Sequence, residues 1–443
     1  MNKGKLFWSN LRSSLWFLPS LMVGGSVVLA IVLIEVDSTW NDQLLARWPR
    51  LFGAGAEGAR GMLSTIAGSM ISVVGVTFSM TLVALSMASS QYTSRILRSF
   101  MGSRVTQAVL GVFSGIFTYC LIVLRTIRGG DEGAYVPTLP VFFGFVLAVG
   151  GVGVLIFFIH HVASSIQASS IIASAANETL KAIDRLFPKR LGESLAEAGE
   201  DPSQPPMLNR KWHPVSAPGS GYIQGMDNAA LLRVARQLKT VVRMERGVGE
   251  FVVEKIPLVS LALEAPPDSK TTSELQTAFS LSRCRTVDQD AAFGIRQIVD
   301  VALKALSPGI NDTTTAVTCI DYLTTILSRL ASREIPASHR YEEGTLRVIA
   351  VGPTFDSLVA ESFDQIRVSA SGNVTILIRM LDALQTIASF ADKPGRRQVL
   401  REHADYIAET SARTLESPRD QAQFEQRLIH VRAALEKAGS TGS

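Results

Sequence analysis

Cysteine is scarce. The 443 residues hold three, Cys120, Cys284 and Cys319, with no C-x-x-C spacing. That excludes a cysteine zinc site and a disulfide framework. Cys120 falls inside an apolar run and reads as a small buried thiol. Histidine is also scarce, at six residues. His213, His339, His403 and His430 are scattered without paired spacing. The adjacent His160 and His161 end an apolar run and read as interfacial anchors rather than a proton relay. There is no Walker-type glycine-lysine loop, no HExxH helix, no GxSxG elbow and no GxGxxG opening a helix. The chain is therefore expected not to be an enzyme and to carry no cofactor. The formal net charge is only +4, so charge alone gives no reason to expect nucleic acid as a partner.

Apolar residues are plentiful, at 47% against 19% charged, and unevenly spread. Four runs in the first 160 residues reach the roughly 20 residues a bilayer crossing needs. They cover about 15–34, 62–88, 105–124 and 139–159, and none contains Asp, Glu, Lys or Arg. Ion-coupled transporters usually need such a group. Its absence favours a passive channel or a non-transporting anchor. The first run follows Lys3, Lys5 and Arg12 and is too long for a typical signal-peptide core, so it is read as a retained anchor. Lys and Arg then set the orientation. The segment before the first run and the connection holding Arg95, Arg98 and Arg104 are basic without acids. The other two connections mix both signs. This predicts a multi-pass protein with a cytoplasmic N-terminus and cytoplasmic residues beyond about 160. Glycines in the last two runs, Gly111, Gly115, Gly144, Gly150, Gly151 and Gly153, suit close helix packing.

The second run has a seam. Thr65, Gly68, Ser72, Gly75, Ser79, Leu82, Ser86 and Ser89 follow heptad spacing, and all but Leu82 are small. A 3.5-residue repeat places them on one stripe of a helix in a left-handed bundle. Two readings stand side by side. Small residues let helices approach closely in lipid. A hydroxyl stripe can also line a pore around a symmetry axis. The helical pattern continues to Phe100 and puts Arg95 and Arg98 at the cytoplasmic mouth. There they would anchor on acidic headgroups or concentrate anions.

The expected fold is a mainly α membrane protein, with four transmembrane helices followed by an α+β cytoplasmic domain. Residues 1–160 form the membrane domain and 161–207 a helical connector and linker. Residues 208–266 form a small β-rich module, 267–438 a helical bundle, and 439–443 a disordered tail. The β module resembles the barrel-sandwich modules of biotinyl and lipoyl carriers. No lysine stands in the Met-Lys or Asp-Lys setting of a carrier hairpin tip, so it is read as structural. The strands expected there lie at 221–226, 241–244 and within 249–261, around a helix at 228–238. Helices are expected at 273–281, 291–306, 313–332, 354–369, 374–390, 396–415 and 420–438, with one strand at 345–351.

Two stretches are distinctive. One is "SMTLVALSMASSQYTSRILRSF" from Ser79 to Phe100, followed by Gln107, Leu110 and Gly111. The other is "RTVDQDAAFGIRQIVDVALKALSPGINDTTTA" from Arg285 to Ala316. With these the chain is similar to the bacterial predicted-membrane-protein family catalogued as domain of unknown function 2254, over about residues 8–435. The resemblance implies an integral inner-membrane protein with four N-terminal spans and a cytoplasmic domain, and no established reaction. The family's usual Pro after Asn-Asp is Thr313 here.

The second stretch ends a helix at Ser307-Pro308, where the residue before Pro disfavours helix. Gly309 permits positive φ. Asn311 or Asp312 can cap the next helix. Arg296, Asp300 and Lys304 share a helix face. Arg285, Asp288, Asp290, Arg296, Asp300, Asn311 and Asp312 remain as a polar cluster. It is either a network that fixes how helices meet or a pocket for a small ligand. D-x-D carboxylates suit a hard cation, whereas the neighbouring arginines suit an anion. The leading expectation is a homo-oligomeric channel whose path is lined by the second run. The alternative is a membrane-anchored scaffold or sensor whose polar cluster binds a cytoplasmic ligand or partner.

Overall fold

A computed structural model describes residues 16–47, 55–91, 104–128, 135–165, 167–187, 211–342 and 344–437. The chain forms two compact units, residues 1–170 and 171–443.

In the first unit, α1 (Phe17–Arg47), α2 (Ala56–Gln91), α3 (Arg104–Thr126) and α4 (Thr138–Ser165) include four stretches long and apolar enough to cross a membrane. α2 has 36 residues, about 54 Å at roughly 1.5 Å each, so it outruns a hydrocarbon core of about 30 Å. Helix α3 is the centre and packs on α1, α2 and α4. The glycines explain the closeness. A Cβ on Gly111 would stand 2.6 Å from Met22 Sδ, and one on Gly115 would stand 2.5 Å from Ser26 Oγ. Gly144 and Gly151 are crowded likewise by Leu63 and Ile116, while Gly150 and Gly153 face open space. Phe113, Tyr119 and Phe158 fill the core, and the Tyr119 hydroxyl donates to the Pro140 carbonyl at 2.8 Å. Large apolar side chains such as Val28, Val76, Val83, Val149 and Ile156 point outward, as lipid-facing residues must.

The crossing stretches reach further than the apolar runs, to Phe17–Asp37 in α1. Asp37 is fully buried in that last turn. Its carboxylate accepts from Leu139 N at 2.8 Å, Thr138 Oγ1 at 3.3 Å and the Tyr135 hydroxyl at 3.4 Å. It thus caps the N-terminus of α4 from another helix, where a negative charge is favoured. Replacing Asp37 by Ala should cost about 1–2 kcal/mol of bundle stability and Asp37→Asn less, because the amide keeps an acceptor. Unfolding of the full chain in mixed micelles checks the order.

Most of α5 (Ala168–Leu186) belongs to the second unit, which then builds strands and more helices. β1 (Trp212–Ser216), β5 (Pro257–Ala262), β3 (Val242–Met244), β8 (Thr345–Ile349) and β7 (His339–Glu342) form a five-stranded sheet in that order. It is antiparallel except where β3 and β8 run parallel. β4 (Phe251–Val252), β2 (Gly221–Met226) and β6 (Phe279–Ser282) form a second, three-stranded sheet. Val215, Ile223, Val242, Val252, Val259 and Leu261 join Leu231 and Val234 of α6 (Asn228–Gln237) in one core. The module is therefore not closed within 208–266, since β6, β7 and β8 come from later sequence. β1 carries Pro214, which an edge strand tolerates because its outer side needs no donor. The expected helix at 273–281 starts earlier, as α7 (Ser269–Thr277), because Asp268 accepts from Thr271 N and caps it. The chain then leaves as β6. Lys255, at φ 70°, sits in the connection from β4 to β5. Glu254 and Ile256 flank it, so it does not have a carrier lysine's setting.

The remaining helices are α8 (Ala291–Ala305), α9 (Thr313–Ala331), α10 (Phe355–Ser369), α11 (Val374–Ala388), α12 (Pro394–Thr414) and α13 (Pro418–Lys437). They match the expected helices within a few residues. α8 packs on α9 and α10, and α11 packs on α9, α12 and α13. Arg396 closes the open end of α9. Its guanidinium donates to the carbonyls of Leu330 (3.2 Å), Ala331 (2.6 Å) and Arg333 (2.6 Å).

Candidate functional site: a hydroxyl stripe and a polar joint

On α2 the buried positions are Ala59, Leu63, Ala67, Met70, Thr77 and Ala84. Thr65, Gly68, Ser72, Gly75, Ser79, Leu82 and Ser86 are exposed. The heptad stripe thus occupies the face opposite the one that meets the rest of the bundle. A Cβ at Gly68 or Gly75 would meet nothing within 4 Å. Among the described residues, nothing packs on the stripe closely enough to explain its glycines. Its hydroxyls are partly satisfied by the helix itself. Thr65 Oγ1 donates to Gly61 O at 2.8 Å, and Ser72 Oγ donates to Gly68 O at 2.9 Å. Such back-bonded hydroxyls keep lone pairs free on the outer surface. The side chain of Ser89, together with Arg95 and Arg98, lies outside the described residues.

The polar cluster separates into three sets along α8 and α9. The first lies before α8. Asp290, with a side chain only 5% exposed, accepts from Phe293 N at 3.0 Å and caps that helix. Its other oxygen takes Arg285 Nε at 2.8 Å. The Arg285 guanidinium lies 5.1 Å from the Phe293 ring centre. This pair is closed over by the turn between β3 and β4. Gly249 there has φ 90°, and a Cβ would stand 2.4 Å from Asp290 Oδ2. Glycine is needed at Gly249 for both backbone and space. Gln289, between the two aspartates, accepts from Met226 N at 2.9 Å, and Gln224 donates to Cys284 O at 2.7 Å. The segment from Cys284 to Asp290 is thus sewn to β2.

Asp288 turns the other way. Its carboxylate is exposed, and Arg185 of α5 donates to its carbonyl oxygen. The same stretch receives α5 through apolar contact of Ala182 and Leu186 with Val287 and Phe293. Gly294 faces Thr179, whose Oγ1 would lie 2.0 Å from an added Cβ. Farther along α5, Asp184 pairs with Arg333, and with Arg329 at 3.5 Å. Burial first, and the Asp288 carboxylate second, push Glu178 above the usual carboxylate range. So residues 284–294 form a three-way joint between the β module, α8 and α5. Helix α5 begins at Ala168, and α4 ends at Ser165.

The second set is Arg296, which donates to Asp300 at 2.9 Å and to Glu361 of α10 at 3.3 Å. The third is the turn after α8. Asp312 caps α9, accepting from Thr315 N at 3.0 Å and Thr315 Oγ1 at 2.5 Å. The Thr315 hydroxyl and N–H hold Asp312 below the usual carboxylate range. Asn311, not Gly309, carries the positive φ, at 49°. Asn tolerates it better than most residues. Thr313 opens α9 behind the Asp312 cap and accepts from Asn373 Nδ2 at 3.3 Å, so the turn does not depend on proline. The three sets bond to different partners: Arg285 and Phe293 for Asp290, Asp300 and Glu361 for Arg296, and Thr315 for Asp312. No three His, Cys, Asp or Glu side chains come together to hold a metal ion among the described residues. Gly249, Gln289, Thr179 and Glu361 take part without having been singled out. The one sequence signal was Gly294, a glycine inside a strongly helical run, which marks close approach.

Three curated relatives span the chain. One is an uncharacterized protein of Mycobacterium bovis and two are uncharacterized proteins of Mycobacterium tuberculosis. Each is 29% identical over 450 residues, covering 99% of this chain and 84% of the relative. No solved structure matches. The family model described as "Predicted membrane protein (DUF2254)" matches residues 12–386, across the membrane helices, the joint and most of the helical bundle. The chain therefore belongs to that family of membrane proteins.

Proposed function

We propose that this protein is a homo-oligomeric channel of the bacterial inner membrane, with α2 of each copy facing a shared axis. The observation that carries this reading is the direction of the α2 stripe. Small and hydroxylated residues point away from the protomer core, where packing among the described residues gives them no role. Several copies around an axis would bury the glycines against neighbouring helices and turn the hydroxyls toward the path. The basic connections before α1 and between α2 and α3 support a cytoplasmic N-terminus and a cytoplasmic second unit. In this reading the second unit governs opening, and the joint at 284–294 ties it to the helix that follows the last span. The alternative is an anchored sensor without transport, which the clamped α5 equally suits.

Ion flux through the full-length protein in liposomes tests the proposal, with oligomeric state measured by light scattering. Ser79→Ala should keep flux, since it keeps the stripe small. Ser79→Leu should lower flux at least tenfold in a protein that still assembles. Loss of assembly with Ser79→Leu would make the stripe a packing seam. An assembled protein silent across voltage, pH and salt would favour the sensor.

A further inference from the structure

Thr77 of α2 and Gln107 of α3 are polar side chains buried inside an apolar bundle, 1% and 2% exposed. Thr77 Oγ1 and Gln107 Nε2 both lack a hydrogen-bond partner among the described residues. The stripe does not account for them, since Thr77 lies on the buried face of α2 with Leu63, Met70 and Ala84. Thr77 also differs from its neighbours. Thr65, Ser69, Ser72 and Thr81 turn their hydroxyls back to the carbonyl four residues earlier, at 2.8 Å or, for Ser72, 2.9 Å. Thr77 forgoes that bond, so its proton and lone pairs are unused by its own helix.

The register of the helices brings the two groups to one level. Arg60 of α2 donates to the Ile127 carbonyl, just past α3, at 2.9 Å. Farther along α2, Leu63 and Tyr119 converge on Gly144 of α4, and Met70 converges with Ile116 and Phe113 on Gly151. Each step forward along α2 is thus matched by an equal step back along α3. Thr77, one heptad beyond Met70, reaches the level of Thr106 and Gln107. Phe158 of α4, one heptad beyond Gly151, comes to the same level. Thr106, itself 5% exposed, shares the i, i+3, i+7 stripe of Val109 and Phe113 and so is directed toward α2. Gln107 is next round the helix and has the longer reach. Val109, Phe113 and Phe158 belong to the apolar core that encloses this layer.

Three neutral side chains in apolar surroundings suit a small neutral guest. The Gln107 amide offers N–H donors, and each threonine hydroxyl has one donor and two lone pairs. An ion would need a counter-charge that none of the three supplies, and burying it unpaired is costly. A water donates and accepts, and buried waters hold two to four polar groups of this kind. We propose that Thr77, Thr106 and Gln107 form a buried water site that bridges α2 to α3. The water accepts from the Gln107 amide and donates to the hydroxyl oxygens of Thr77 and Thr106. The bridge grips α2 on the face opposite the stripe, so it fixes the rotation of that helix and with it the direction in which the stripe turns. It rests on packing within the first unit and not on ion flux, so the site and the channel reading stand or fall separately.

The test is crystallography of the full-length protein in a lipid mesophase, at a resolution that shows ordered waters, with crystals grown once in chloride and once in bromide. A water peak is expected about 2.7–3.1 Å from Thr77 Oγ1 and from the Gln107 amide. Thr77→Val, which keeps the shape and removes the hydroxyl, should lower the occupancy of that peak at least threefold, and Thr77→Ser should keep it. A map with no peak there, or with Gln107 bonded straight to Thr77, overturns the site. An anomalous bromide signal at the position makes the guest an anion and overturns it too, as does a peak that Thr77→Val leaves unchanged. The two wild-type maps decide among water, anion and direct bond even if the valine variant does not fold.

Discussion

Asp290→Ala should lower the stability of the second unit by about 3 kcal/mol, with the loss centred on α8. Two effects add. Asp290 supplies the side-chain cap to Phe293 N, and loss of such a cap costs about 1–2 kcal/mol. It also leaves the Arg285 guanidinium, only 26% exposed, beneath the Gly247–Gly249 turn without its carboxylate. A partly buried cation that has lost its partner costs roughly 1–3 kcal/mol. The pair need not stabilise relative to an apolar replacement, because burying both charges is itself costly. Asp290→Asn therefore discriminates. It keeps an acceptor for the cap but removes the charge, and should cost about half as much. Arg285→Met, which removes the orphaned cation, should recover part of the loss when combined with Asp290→Ala. Urea unfolding of the full chain in micelles, followed by amide exchange of α8, measures all three. Equal losses for Asp290→Ala and Asp290→Asn would show that charge, not capping, holds the joint.

Long elements with a single dominant pattern were legible in the sequence. The four spans follow from apolar length, and the helices from Ala291 onward follow from their periodicity and caps. A cap at Asn311 or Asp312 was readable because the run after it is helical and the run before it ends at Pro308, and the structure takes Asp312. The misreadings have physical reasons too. β1 and β7 are edge strands, where pairing on one side only lets a strand hold Pro214 or the charges of Arg340 and Glu342. β8 reaches β3 only after three helices have intervened, so no local pattern announces that pairing. The polar cluster looked single because its members are close in the chain. On a helix, however, residues from Asp290 to Asp312 are spread over several turns, and each carboxylate met a different neighbour. For α2 the spacing revealed a stripe, but which way it faced depended on where α3 settled, and that is tertiary information.

Gly294→Ala should destabilise the docking of α5 by about 2 kcal/mol, although alanine is the better helix former. In an open helix this substitution would gain about 1 kcal/mol. Here the new methyl would stand 2.0 Å from Thr179 Oγ1 and 2.9 Å from Thr179 Cβ and Cγ2. Real Cβ contacts do not occur at such distances, so α5 and α8 must separate. Thr179 cannot simply rotate aside. Its hydroxyl is tied to the Ala175 carbonyl at 2.7 Å, and the residue is fully buried. Overpacking of this kind costs about 1–3 kcal/mol beyond any propensity gain. Separation would also lengthen the contacts of Asp184 with Arg333 and of Arg185 with Asp288, which lie one to two turns farther along α5. Thr179→Ala removes Oγ1 and Cγ2, the two clashing atoms beyond Cβ. The double variant should therefore recover at least half of the loss, a coupling of about 1 kcal/mol or more between the sites. Amide exchange across α5 and α8 in the full chain reads the docking directly. If the protein is a channel, Gly294→Ala should also change opening while leaving the conductance of an open pore unaltered, because α2 is not touched. Unchanged exchange in α5 would mean that the helices accommodate the methyl without parting, and that the joint does not hold α5 through Gly294.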